Sequence, residues 1–562
     1  VYLRTKNDDG DIDEKLIYHN DLYVIKRVQD VESGEGIVMR LHLPRDGVRE
    51  FTIPLTAATS KEEFRKHMAH NGVAVTRMDD IMNYTTRWVN ELQATTATQH
   101  ARRQFGWTSD ECESFVLGDK EIFADRIESN PPSTPTRDLF YAFEPKGTLE
   151  DWKKMVNFYN RDKFELHQYI VCTSFGSPLM QLSPIACAAL HVHSVESGVG
   201  KTTAMYVGAS VWGKPKELVI EKNDTQNSRM LRGEIYHNLP LYIDEMTNAK
   251  PEELSDMIYQ ISGGKQKNRM AGGGNTERAR GEPWSLLSVT TGNTSIIEKV
   301  TMKKAMPKAE AQRMLETKAV RLFDDTESKH LTDAHAINAE NIYGHAGTIY
   351  IQYVIKNLEE VKALMARIQA AIDAEAGLTA ENRFWSAGTA ATITGAMIAK
   401  KLGLIDFSIK KLMAYVLGLL RQNKAVVDDM GSSAQETLNN YLHENWGNIL
   451  KIRSTDDLRK PQDNGLDELI IPELDPRIRL VGRYEVDVKR LYLTPKPLKA
   501  WCGLQDINYS SFLADLTKHM GAKNITMRLT KGTSTQLPPC RVISIDCSET
   551  PLNTPSNTPV DA

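Results

Sequence analysis

The sequence predicts a multidomain α/β protein with a mostly parallel central sheet. Three observations carry that prediction. At 562 residues the chain exceeds what one hydrophobic core organises, so three or four domains are expected. Between residues 186 and 336, apolar runs that read as buried strands (AALHVHS, LPLYIDE, SLLSVTTGN) alternate with helical patterns, the signature of a parallel sheet covered on both faces. Residues 1–58 instead alternate polar and apolar positions in short runs, the period of half-buried antiparallel strands.

Taken in order, residues 1–137 read as an N-terminal α+β domain. Its strands are followed by helix over Ser60–Ala97, strands again over Phe105–Glu128, and the linker NPPSTPTR. Residues 138–185 form a helical lead-in, 186–336 the α/β core, and 337–432 a helical lid or bundle. Residues 433–547 read as a small α/β unit in the order strand–helix–helix–hairpin. That order suits a winged helix with Leu529–Leu537 as its wing, a surface that contacts DNA in some proteins and only partners in others. Residues 548–562, rich in Pro, Ser, Thr and Asn, read as a disordered tail.

Composition excludes several classes. Hydrophobic residues make up 41% and charged residues 25%, enough for both a core and a solvated surface. No apolar run approaches the roughly 18 residues of a membrane span. Six scattered cysteines with no CxxC pair argue against a zinc knuckle or a disulfide scaffold, and fit a reducing cytoplasm. A start at Val1 is what a piece cut from a longer chain would show. The net charge of −4 leaves nucleic-acid binding to local clusters.

The run VESGVGKTT, Val195–Thr203, lies between a strand and a helix. A Gly-rich loop there points backbone N–H groups into a concavity at a helix N-terminus, where phosphate charge is stabilised. Ser197, Gly198, Val199, Gly200 and Thr203 would form the cradle, Lys201 would reach the β- and γ-phosphates of ATP, and Thr202 would ligate Mg²⁺. The general pattern GxxxxGK[ST] begins with Gly, and Val195 stands there instead. Forty-three residues after Lys201, LPLYIDE ends in Asp244 and Glu245. One carboxylate would hold Mg²⁺ and the other, Glu245, would polarise the attacking water. Asn293, 49 residues beyond Asp244 at the end of SLLSVTTGN, is a candidate for holding that water or the γ-phosphate, against the plainer reading of a turn Asn.

Between these motifs, Gly263–Arg280 carries Lys265, Lys267, Arg269, Arg278 and Arg280 against Glu277, a local charge of +4 flanked by glycines. In an acidic molecule it is the candidate grip on single-stranded DNA; the bland reading is a solvated loop. Arg313, then Arg321, are candidates for an arginine that completes a neighbouring subunit's phosphate site. Arg383, opening the helix RFWSAGTAATITGAMIAKKLG, is a candidate phosphate contact.

With these residues in hand, the stretch from about Thr148 to Leu404 resembles the phage and plasmid P-loop family catalogued as domain of unknown function 927. The matching phrases are SFGSPLMQLSP, SGVGKTTAMYVGASVWGKP, LPLYIDEMTN, SGGKQKNRM, TTGN, IYGHAG and the helix ending KKLGL. The resemblance implies a P-loop NTPase core of the AAA+ or superfamily-3 kind, an ATP- and Mg²⁺-dependent helicase of primase–helicase type. It implies a hexameric homo-oligomeric ring on single-stranded DNA, with a primase or polymerase in the same polypeptide or replisome. It carries roles over to Lys201, Thr202, Asp244, Glu245 and Asn293, and implies the host cytoplasm if the chain is phage-encoded. Two alternatives stay open: an ATPase switch or loader that acts on DNA without unwinding it, and a DNA-binding module with a vestigial nucleotide site.

Overall fold

The computed structural model describes residues 1–562 except 7–10, 31–33, 101, 131–132, 134, 137, 222–223, 267–280, 303–306, 323–325, 430–433, 455–478, 506, 536 and 549–562. The chain divides into two compact units, Val1–Ser295 with Gln312–Gln422, and Ile296–Ala311 with Asn423–Ala562.

The first unit opens with antiparallel structure, as the alternating pattern predicts. Strands Asp21–Asp30, Gly34–Leu43 and Gly47–Pro54 pair in sequence, with a bulge between Val24 and Lys26, and Gln99–His100 adds a parallel edge. Helices Lys61–His70 and Met78–Thr95 contribute Phe64, Met68, Ile81 and Val89 to a core shared with Leu22, Ile37 and Met39. Phe64 and Met68 are spaced i, i+4 and Ile81 and Val89 i, i+8, which puts each pair on one helical face. A second small sheet over residues 106–129 is tied to the remainder of the unit at Asn238, whose Oδ1 accepts from the Trp107 backbone N–H at 2.9 Å.

Four parallel strands form the central sheet: Cys187–His193, Leu241–Ile243, Leu286–Gly292 and Met314–Lys318. Leu286–Gly292 lies between the strand that feeds the Gly-rich loop and the strand that ends in the carboxylates. Every residue of Leu286–Gly292 is buried, which explains its continuous apolar and small-residue pattern. The fourth strand, Met314–Lys318, is one that periodicity did not reveal. It is an edge strand whose burial fades from Met314 to Lys318, so no continuous apolar run marks it.

Helices Glu165–Gly176 and Arg383–Lys401 are buried over most of their residues. They approach closely where Gly176 and Gly395 face each other; a Cβ on Gly395 would lie 2.6 Å from the Gly176 nitrogen. Gly388 brings Arg383–Lys401 equally close to Ala188 of the sheet. The helical segment after residue 337 therefore helps cover the central sheet.

The second unit holds a five-stranded sheet in the order Ile449–Ile452, Gly482–Glu485, Arg490–Leu493, Cys540–Asp546, Lys523–Met527, with only the first pair parallel. Helices Ala434–Asn445, Pro495–Leu504 and Tyr509–Met520 supply Leu438, Leu442, Leu498 and Leu516 to its core. Arg483 is fully buried, pairs with Glu485 at 2.8 Å, and donates to the carbonyls of Leu529 and Lys531 at 3.0 and 2.6 Å. Those bonds anchor the start of the Leu529–Leu537 connection between its last two strands. Among the described residues of both units, no helix is long and apolar enough to cross a membrane.

Candidate functional site

In a parallel sheet all strands point the same way, so their C-terminal ends share one edge, where α/β proteins gather their ligands. Residues 194–200 link His193 to the helix Lys201–Ala209 at that edge. Gly198 and Gly200 have φ of +73° and +85°, the left-handed region that glycine tolerates. Gly200 is the cap of the helix, so the turn hands the chain directly to its free N–H groups. Val195 is not among the positive-φ residues and is 83% exposed. The absent first glycine is therefore not required by backbone conformation here.

Below the loop, the buried His167 holds it in place: its Nε2 lies 3.2 Å from the Val199 carbonyl, which can only accept, so Nε2 donates. A Cβ on Gly200 would come 2.8 Å from that same nitrogen. Gly200→Ala should therefore destabilise the fold by roughly 1–2 kcal/mol through the left-handed φ alone, read as a lower denaturant midpoint, with nucleotide binding weakened in parallel. A wild-type midpoint would mean that the turn is not held as described.

Lys201 Nζ donates to the Ser194 carbonyl at 3.3 Å. Burial draws its ammonium below the ordinary lysine value, while Asp244 and Glu245 pull it back up. Thr202 Oγ1 donates to Asp244 Oδ2 at 3.0 Å, joining the loop to the acidic strand across the intervening one. The other oxygen of Asp244 accepts from the Thr291 hydroxyl and, at 3.1 Å, from the Glu245 backbone N–H. Thr291 sits in the TTGN run quoted above, but its part in holding Asp244 depends on which strand lies beside which. Glu245 takes a left-handed φ of +50°, sparsely populated by non-glycine residues and costing of order 1–3 kcal/mol. Its amide also donates to Thr291 Oγ1 at 3.2 Å, so hydrogen bonds from two sides hold it there.

Asn293 follows the central strand at the same edge, exposed, its backbone N–H donating to Thr247 Oγ1 at 3.2 Å. Arg321 also reaches the loop, donating to the Ser197 carbonyl at 3.2 Å and lying 3.8 Å from Glu196. Lys201, Thr202, Asp244, Glu245, Asn293 and Arg321 are thus brought to one edge. Buried His191, missed in the sequence, braces the strands behind it. It bonds Thr290 Oγ1 at 2.9 Å and the Thr294 carbonyl at 3.1 Å, and burial pushes its pKa down to about 3.

The other candidates lie elsewhere. Arg313 precedes the first residue of the edge strand, at the opposite end of the sheet from the loop. Its guanidinium stacks 4.4 Å over Tyr259 and 5.5 Å from Phe384, and Arg383 lies 5.2 Å from that same Phe384 ring. Neither arginine joins the loop of its own chain. Lys267, Arg269, Arg278 and Arg280 lie outside the described residues. Lys265 follows Gly264, whose carbonyl accepts from the Trp284 backbone N–H at 2.8 Å. That bond pins together the two ends of the basic segment, at the start of the strand Leu286–Gly292 and so also opposite the loop.

The oxygen set suits a hard divalent cation: the Thr202 hydroxyl and the Asp244 carboxylate converge beside the loop. A phosphate fits the loop equally well. Apart from its chain neighbours, none of the described residues lies within 4 Å of a Cβ position on Gly198, and Lys201 begins the helix that follows the loop.

Residues 1–281, half of the chain, match the family model described as "Domain of unknown function (DUF927)". The match reaches back through the antiparallel N-terminal region, beyond the stretch from Thr148 that the motifs marked, and ends before residue 404. No curated protein sequence matches the chain. Among solved structures, one described as "SCCmec type IV Cch - active helicase" is similar over 95% of this chain and 94% of its own, at 13% identity and a TM-score of 0.66. This similarity shows a shared fold. The A form apo structure of the NrS-1 C-terminal region covers 69% of this chain and 89% of its own at 13% identity, with a TM-score of 0.27 that carries no argument.

Proposed function

This chain belongs to the DUF927 family, and on that premise we propose that it is an ATP-dependent DNA helicase whose subunits assemble into a ring, hexameric by resemblance, around single-stranded DNA. The observation that carries the reading is the 3.0 Å contact between Thr202 and Asp244 at the mouth of the Gly198–Gly200 loop, with Lys201 beside it. It supports a P-loop NTPase core of the AAA+ or superfamily-3 kind.

In this reading Ser197, Gly198, Val199, Gly200 and Thr203 cradle the phosphates of ATP through backbone N–H groups, and Lys201 supplies a point charge. Thr202 and Asp244 would hold Mg²⁺, which neutralises phosphate charge when bound. Glu245 accepts a hydrogen bond from the attacking water and so polarises it, and Asn293 orients it or the γ-phosphate. Arg321 approaches its own chain's loop, which favours a role in cis. Arg313 and Arg383, at the far edge, could reach a phosphate only in a neighbour's site, which supports an oligomer and keeps Arg313 first as the trans arginine. The described order of helices and strands in the second unit supports a winged-helix-like role for residues 433–547. The family resemblance supports a replisome setting with a primase or polymerase, in the cytoplasm.

The grip on DNA is assigned to Lys265, Lys267, Arg269, Arg278 and Arg280. Each phosphate contact with a single strand contributes roughly 0.7 to the salt slope of binding. Replacing Lys265, Lys267 and Arg269 by alanine should flatten that slope by about two units and weaken binding equally for all sequences, because phosphate contacts carry no base information. DNA-stimulated ATPase and strand separation should fall with it while basal turnover persists. Binding at several salt concentrations, with basal and stimulated ATPase and particle images of the assembly, tests the whole reading. ATP turnover indifferent to DNA, with no strand separation, would favour the switch or loader.

A further inference from the structure

The two arginines at the far end of the sheet share an aromatic support. The Arg313 guanidinium lies 4.4 Å from the ring centre of Tyr259 and 5.5 Å from that of Phe384, and Arg383 lies 5.2 Å from the same Phe384 ring. All three distances fall within the roughly 6 Å over which a ring face attracts a cation. Rings and guanidiniums thus alternate in the order Tyr259, Arg313, Phe384, Arg383. The group is not core: Tyr259 is 38% exposed, Arg383 is exposed, and Arg313 and Phe384 are half-buried.

Each ring stands on a fixed element. Tyr259 belongs to the helix Pro251–Gly263, whose opposite face buries Leu254, Met257, Ile258 and Ile261. The end of that helix is pinned where Trp284 Nε1 donates to the Ile261 carbonyl at 3.1 Å. Phe384 is the second residue of Arg383–Lys401, the helix that Gly388 seats against Ala188 of the sheet. Gln312 Nε2 donates to Glu381 Oε2 at 2.8 Å, so the residue before Arg313 is tied just ahead of that same helix. On its other side Arg313 adjoins Met314, which pairs with Ala189 in the sheet.

A freely moving arginine loses rotamer freedom when it meets a phosphate, and that loss weakens the contact. Stacking removes much of the freedom beforehand. It also engages the flat face of the guanidinium, whereas phosphate oxygens are gripped by the N–H fork at its edge. Two like charges gathered at one exposed ring repel each other, and an anion that meets both relieves the repulsion. We propose that Tyr259 is a positioning residue: with Phe384 it holds Arg313 preformed for the triphosphate bound by a second copy of this chain. Arg383 is held beside it on the same Phe384 ring. This inference rests on the reading of Arg313 as the arginine that completes a neighbour's site, and it names the side chain that sets the plane of its guanidinium.

The test is steady-state ATPase of the full chain with Mg²⁺, with particle images reporting assembly, for Tyr259→Phe, Tyr259→Leu, Arg313→Ala and the double variant Tyr259→Leu with Arg313→Ala. Tyr259→Phe keeps the ring and should keep wild-type kcat. Tyr259→Leu should lower kcat roughly three- to tenfold, the worth of one partly exposed cation–ring contact, with KM and assembly unchanged. In the Arg313→Ala background the same substitution should change nothing further, because the ring would have no guanidinium left to hold. Wild-type kcat in Tyr259→Leu, while Arg313→Ala is impaired, would overturn the positioning role and leave the arginine standing. So would an equal loss on top of Arg313→Ala, an equal loss in Tyr259→Phe, or a Tyr259→Leu chain that no longer assembles. Wild-type turnover in Arg313→Ala would instead overturn the reading of the arginine, and the inference with it.

Discussion

Lys201→Ala should lower ATP turnover by about 10²–10³-fold, the usual loss when a preorganised group is removed from developing charge, while the protein stays folded. The residue begins a helix, where alanine is the best helix former, and its ammonium donates to the Ser194 carbonyl at 3.3 Å. Among the described residues nothing nearby substitutes for the charge. Arg321 is directed at the Ser197 carbonyl and Glu196 on the outer side of the loop. Removing the ammonium also leaves Asp244 and Glu245 without the cation that their charges favour. Steady-state ATPase with circular dichroism and a denaturant midpoint checks this. Turnover above a tenth of wild type in a folded variant would take Lys201 out of the phosphate site.

Glu245→Gln should bind ATP as wild type does and hydrolyse it about 10²-fold or more slowly, as expected when a group acting as a base loses its charge. The substitution is unusually clean. The bonds that hold position 245 run through its backbone N–H to Asp244 Oδ1 and Thr291 Oγ1, and glutamine keeps both. Asp244 keeps its contact with Thr202, so the cation-binding oxygens are undisturbed. Nucleotide affinity and single-turnover rate, measured together, separate the two effects. Wild-type hydrolysis would remove Glu245 as the catalytic carboxylate, and lost affinity would instead assign it to binding.

Local patterns carried much of this site. A left-handed helix cap needs glycine, so Gly198, Gly200 and Lys201 were legible where they stand. Buried strands need unbroken apolar runs, so Cys187–His193 and Leu286–Gly292 were legible too, and the carboxylates followed from the end of LPLYIDE. All these rest on forces acting within a few residues: backbone sterics, strand period and helix capping. Strand order does not. Only the pairing of Leu286–Gly292 between its two neighbours brings Thr291 to Asp244, and only an edge position explains why Met314–Lys318 is a strand without an apolar run. The arginines divide on the same ground. Arg313 and Arg321 are eight positions apart in similar sequence, yet a strand between them sends one to each end of the sheet. His167 was silent in the sequence because a lone histidine in an apolar helix usually marks nothing but core. Its place beneath the loop depends on how the helix Glu165–Gly176 docks beside the helix Lys201–Ala209, a pairing that no local pattern encodes. Periodicity tells which side of a helix is buried, and packing alone decides what it is buried against.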